Sequence, residues 1–104
     1  MSVTSDLSAD GKTLTIVVTG RFDFSAHQEF RQAYEKVNEH PKHFIVDLKG
    51  TTYLDSSALG MLLLLRDHAG GDHSDVHLIN VTPDVQKILA ISNFDKLFKF
   101  EAKR

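Results

Sequence analysis

The chain has 104 residues, 41% of them apolar, which allows one compact domain with a single modest core and leaves no room for a catalytic domain beside a regulatory one. It contains no cysteine, which excludes a disulfide framework, a thiolate zinc site and a cysteine nucleophile, and fits a reducing, cytoplasmic setting. Twelve Lys and Arg face fourteen Asp and Glu, with no basic block beyond Lys103-Arg104, so direct nucleic-acid binding has little electrostatic support.

The N-terminal run Met1-Ser2-Val3-Thr4-Ser5-Asp6 has neither the basic region nor the apolar stretch of a signal peptide. Two strands open the domain, joined at the hairpin signal Asp10-Gly11. Leu14, Ile16 and Val18 alternate with threonines in the second strand, and Val17 breaks the alternation, as in a strand covered in part on both faces. Gly20-Arg21-Phe22-Asp23-Phe24 leads into a helix. There Ser25 and Gln28 read as a capping box, and Ala26, Phe30, Ala33, Tyr34 and Val37 share one face. His40-Pro41 stops that helix. Phe44-Ile45-Val46-Asp47-Leu48 is nearly continuous in apolar residues, as a central parallel strand is.

The loop 49–54 carries the chain to Asp55-Ser56-Ser57, which opens an apolar helix closed by Gly70-Gly71. Its apolar block, Met61 with Leu62 to Leu65, is far too short to span a bilayer, so no membrane insertion is expected. Val76, Leu78, Ile79 and Val81 form another strand. Thr82-Pro83 then supplies an N-cap and a first-turn proline for a helix carrying Val85, Ile88, Leu89 and Ile91. A short strand at Leu97–Phe100 closes the chain. The expected fold class is a single α/β domain over residues 1–104, a mixed β-sheet covered by α-helices in the order ββαβαβαβ.

The helix after Asp55 carries the chemistry. At 100° per residue from Ser56, the residues Ala58, Met61, Leu62, Leu65 and Ala69 cluster for burial against the sheet. Ser56, Gly60 and Asp67 lie opposite, flanked by Leu63 and Leu64. A helix that is only structural usually puts charges on that outer face. A serine, a glycine and two leucines there suit a docking surface instead. Ser56 also stands at a helix N-terminus, where free N–H groups and the dipole accommodate a phosphate. The plainer reading has Asp55 as N-cap with the serines in the first turn, and the leucines as core. Spacing leaves both readings open.

The element Tyr53-Leu54-Asp55-Ser56-Ser57-Ala58-Leu59-Gly60 resembles the signature of the STAS domain in bacterial anti-sigma factor antagonists. Gly20-Arg21-Phe22-Asp23 is similar to that family's turn before the first helix, Phe44–Leu48 to its central strand, and Val81-Thr82-Pro83-Asp84-Val85 to its third-helix entry. Ala58 stands where the family commonly has glycine. The resemblance implies Ser56 as the phosphate acceptor, with Ser57 the alternative one residue on and Asp23 and Asp55 as acidic neighbours. It implies a GHKL-type serine kinase or anti-sigma factor as partner and a PP2C-like phosphatase that reverses the modification. The partner-binding set is then Asp23, Asp55, Ser56, Ser57, Gly60, Leu63 and Leu64, with no catalytic residue, metal ligand or cofactor.

Two other functions compete for the same residues. A hydrolase on Ser56 lacks a Gly-x-Ser-x-Gly elbow and a histidine–acid pair tied to the serine, so no enzyme is expected. A fixed STAS subunit of a lipid-transport or stress-sensing assembly would dock through the same helix without phosphorylation. The six histidines include His68, His73 and His77 close in sequence, but a Gly70-Gly71 break separates them and solvated loop histidines are expected.

Overall fold

The computed structural model describes residues 2–37 and 40–102, so the terminal Lys103-Arg104 pair lies outside it. The elements are β1 (Ser2–Leu7), β2 (Thr13–Phe22), α1 (His27–Glu35), β3 (His43–Leu54), α2 (Ser56–His68), β4 (Val76–Val81), α3 (Pro83–Ile91) and β5 (Lys99–Ala102). One-turn 3-10 segments occur at Phe24–Ala26, Gly71–His73 and Phe94–Lys96. This is the expected ββαβαβαβ order. The strands form one sheet in sequence order, with β1 antiparallel to β2 and the other pairs parallel.

Each crossover adds its strand on the same side, so right-handed connections place all three helices on one face of the sheet. The strands alternate accordingly. Leu14, Ile16, Val18, Phe44, Val46, Leu48, Val76 and Leu78 are buried under the helices. Phe30 and Tyr34 of α1, Met61, Leu62 and Leu65 of α2, and Val85 and Leu89 of α3 meet them. The helix-free face carries Thr15, Val17, Ile45, Asp47, His77 and Ile79, all half-buried. Val17 therefore belongs to a face shared with other strand residues, with no helix over it. Asp47 in an otherwise apolar strand has the same explanation.

Three local readings are corrected. The segment 49–54, expected as a loop, continues β3 instead. Thr19, Gly20, Arg21 and Phe22 of β2 pair with Gly50, Thr51, Tyr53 and Leu54 through two register shifts. Gly50 admits the close approach of the strands there, since a Cβ would sit 2.7 Å from Thr19 Cγ2 and force that side chain to shift. The Thr51 hydroxyl, buried, donates to the Val18 carbonyl at 2.9 Å. The second correction is that Ser25 does not cap α1. Asp23 caps the preceding 3-10 turn, accepting from the Ser25 N–H, and Ala26 at the start of α1 makes no side-chain cap bond. The third is the last strand, which begins at Lys99, two residues later than expected, because Phe94–Lys96 form a 3-10 turn with buried Phe98 stacked on Phe94.

Other signals hold. Gly11 has φ 72° in the β1–β2 turn, and Gly70 and Gly71 end α2 at φ 122° and 62°. Thr82 Oγ1 accepts from the Val85 N–H at 3.4 Å, with Pro83 in the first turn of α3. The expectation of solvated loop histidines is corrected for two of the three: His68 packs on the Tyr34 ring at 4.9 Å from α2 and His77 bonds to Asp75 from β4, whereas His73 is exposed in a turn.

Asp75, just ahead of β4, ties three strands together. It accepts from His43 of β3, from His77 Nε2 of β4 at 2.8 Å, and from Lys99 Nζ of β5 at 3.3 Å. The His43 hydrogen bond foremost, with Lys99 and His77 behind it, holds the Asp75 carboxyl down at about 2. A carboxyl lowered in the folded state stabilises the fold above its ordinary 3.8, and that contribution is lost as pH falls through about 2. Urea midpoints should drop between about pH 5 and pH 2, and drop less in Asp75→Asn. Parallel curves for the two proteins would remove Asp75 from the acid response.

Candidate functional site at the start of the second helix

Asp55 leaves β3 in an extended conformation, φ −115° and ψ −176°, and starts α2 as its N-cap. Its Oδ1 accepts from the Ala58 N–H at 3.1 Å and from the Ser57 hydroxyl at 2.6 Å. This separates the two serines. Ser57 is half-buried with its hydroxyl committed to the cap, whereas Ser56 is exposed at the first helical position.

Further along α2, Ala58, Met61, Leu62 and Leu65 are buried, and Gly60 is exposed. A Cβ added at Gly60 would meet nothing within 4 Å, so no packing demand accounts for glycine there. Leu63 and Leu64 are exposed at 38% and 50%. Ser56, Gly60, Leu63 and Leu64 thus share the solvent side of one helix.

The β2–β3 pairing brings the second acid to this helix. Arg21 pairs with Tyr53 and Phe22 with Leu54, and the Asp55 N–H donates to the Phe22 carbonyl at 3.4 Å. Asp23 therefore borders Asp55. Its carboxyl is held below the usual carboxylate range, first by the Ser25 hydroxyl and N–H and then by Arg21. Two carboxylates and one guanidinium thus gather where β2 and β3 lead into α2.

Three residues outside the sequence-derived set join it. Phe24 is 74% exposed and stacks on His27 at 6.0 Å. Tyr53 is exposed, with the Arg21 guanidinium 4.4 Å from its ring centroid. Aromatic residues and arginine are the types that anchor protein interfaces. Period-two alternation with buried Leu54 could have placed Tyr53 outward, had 49–54 been read as strand. No such signal pointed to Phe24.

The grooves of the surface lie elsewhere. One of about 390 Å³, on the helix-free face, is lined by Thr13, His43, Ile45, Asp75, His77 and Ile79. Among the described residues no group of three His, Cys, Asp or Glu is placed to hold a metal, and no helix is long and apolar enough to cross a membrane. The chemistry available around Ser56 is that of a modifiable hydroxyl on a surface of exposed aromatic and aliphatic side chains.

Comparison with known proteins places these features. Residues 5–99 match the family model described as Mlab, STAS domain. A STAS-domain containing protein of Pseudomonas aeruginosa is 63% identical over 99 residues, covering 95% of this chain and 98% of that one. The structure of the anti-sigma factor antagonist SpoIIAA in its unphosphorylated form gives a TM-score of 0.81 at 17% identity, covering 98% of this chain and 90% of that one. The Bacillus cell fate determinant SpoIIAA in the phosphorylated form gives 0.66 at 15% identity, covering 98% and 93%. At these identities the two structures share the fold.

Proposed function

The chain belongs to the STAS-domain family, and from that premise we propose that it is a phosphorylation-gated docking protein of the anti-sigma factor antagonist kind. Residues 1–104 act as one STAS domain. With Ser56 unmodified it binds a GHKL-type serine kinase or anti-sigma-type regulator and frees what that partner holds. Phosphorylated at Ser56 it lets the partner go, and a PP2C-like phosphatase resets it. The output is transcription or a related bacterial behaviour, and the chain itself catalyses nothing.

One observation carries the choice of residue: the Ser57 hydroxyl is spent on Asp55 at 2.6 Å, and Ser56 stands exposed beside it. A kinase must reach the hydroxyl it modifies, and Ser56 is the accessible one. Support for the switch comes from SpoIIAA, a protein of the same fold known in unphosphorylated and phosphorylated forms. The Asp55 cap also leaves the helix N-terminus pointed at Ser56, where a phosphate is electrostatically tolerated in the free protein.

A second reading is a fixed subunit of a lipid-transport or stress-sensing assembly, which the match to the Mlab-type model supports. It would use the same exposed leucines with no phosphate. A phosphate-affinity gel on protein taken from cells separates the two. A shifted band that disappears in Ser56→Ala and persists in Ser57→Ala is the expected result. Unshifted protein under every growth condition would favour the fixed subunit, and a band lost only in Ser57→Ala would move the switch by one residue.

A further inference from the structure

A phosphate on Ser56 would carry about −1.5 to −2 charges into a neighbourhood that already holds Asp55 and Asp23. The helix terminus compensates only in part. The Ala58 N–H is taken by the Asp55 side chain and the Leu59 N–H by the Asp55 carbonyl at 3.2 Å. The first-turn amides still open are those of Ser56 and Ser57 themselves. A dianion among carboxylates calls for a nearby cation that is free to move.

Arg21 has that character. Its Nε lies 3.6 Å from Asp23 Oδ2, longer than a usual charge-assisted hydrogen bond, and its side chain is 67% exposed. An exposed pair of this kind contributes little to stability. Asp23 relies on it less than on Ser25, since its other oxygen accepts from the Ser25 N–H at 3.0 Å and the Ser25 hydroxyl at 2.5 Å. The guanidinium also lies over the face of Tyr53, at 4.4 Å. The β2–β3 register sets Arg21 opposite Tyr53, three residues before Ser56.

Resting on Ser56 as the modified residue, we propose that Arg21 receives the Ser56 phosphate, leaving Asp23 and the Tyr53 ring to do so. A phosphate presents more charge and more acceptor oxygens than one carboxylate, and the guanidinium fork can engage two of them at once. The exchange uncovers Tyr53 and leaves Asp23 without its cation. Phosphorylation thereby alters the docking surface at three residues besides the one modified: Arg21, Asp23 and Tyr53.

The test needs no kinase. Phosphoserine is inserted at position 56 during translation, and the phosphate is titrated by 31P NMR. Free phosphoserine loses its second proton near pH 6, roughly, and a guanidinium contact favours the dianion. Arg21→Gln should therefore raise the phosphate midpoint by about half a pH unit or more. Lys42→Gln removes the same charge at the opposite end of β3 and should leave the midpoint at the wild-type value. His27, stacked on Phe24, is present in all three proteins and contributes equally to each. Equal midpoints for wild type and Arg21→Gln would overturn the proposal, as would an equal rise in Lys42→Gln. Thermal melts of the unmodified proteins check that Arg21→Gln is folded. Because the phosphate is installed during translation and not by a kinase, failure here leaves the switch reading intact, and unphosphorylated protein in cells leaves this test intact.

Discussion

Phosphorylation of Ser56 should weaken binding to the GHKL-type partner by about a thousandfold, which corresponds to about 4 kcal/mol. The source is desolvation. Docking would bury a dianion against Phe24, Tyr53 and Leu64, which are exposed in the free protein, and close to the Asp23 and Asp55 carboxylates. In the unbound phosphoprotein water screens the same carboxylates and, with the helix terminus, solvates the charge, so the penalty there is smaller. Ser56→Ala keeps the face small and neutral, so it should bind as the unmodified protein does and hold the pathway in that output. Ser56→Asp adds a single charge and fewer oxygens, so its affinity should fall between the two. Isothermal calorimetry on the four proteins decides the matter. Equal affinities for wild type, Ser56→Ala and Ser56→Asp would falsify charge gating.

Leu62→Ala and Leu65→Ala should each lower the unfolding free energy by about 2–5 kcal/mol, the usual cost of truncating a buried leucine. Both side chains are fully buried between α2 and the sheet. Their neighbour Leu64 is half-exposed, and Leu64→Ala should cost under about 1 kcal/mol while weakening partner binding. Leu63, less exposed than Leu64, should show part of each effect. The four leucines are consecutive and chemically identical, so differences in urea midpoint report only which way each one points. Should Leu64→Ala unfold as readily as Leu62→Ala, α2 has no exposed apolar face to dock with.

Much of this protein is written locally. The period of 3.6 in α2 assigned Ala58, Met61, Leu62 and Leu65 to the core and left Ser56, Gly60, Leu63 and Leu64 outside, which is where the structure has them. Asp55 and Thr82 as caps, Pro83 in a first turn, and Gly70-Gly71 as a helix end depend on φ, ψ and hydrogen bonds within a few residues. Such features need no distant partner, so one stretch of sequence suffices to place them.

What the sequence left undecided depends on residues far apart along the chain. Lys49 to Leu54 looks like a loop until β2 supplies the hydrogen bonds that make it strand, with Gly50 admitting the close approach of Thr19. The same pairing brings Arg21 over Tyr53 and Asp23 beside Asp55. His43, Asp75, His77 and Lys99 meet only because β3, β4 and β5 start at one end of the sheet. The single-sided covering of the sheet, which turns Val17, Ile45 and Asp47 outward, follows from strand order and crossover hand. The sequence by itself thus determined the order of the elements, the core face of α2 and its exposed serine. Only tertiary structure decided which charges and aromatic rings surround that serine, because register between strands sets distances that no local periodicity contains.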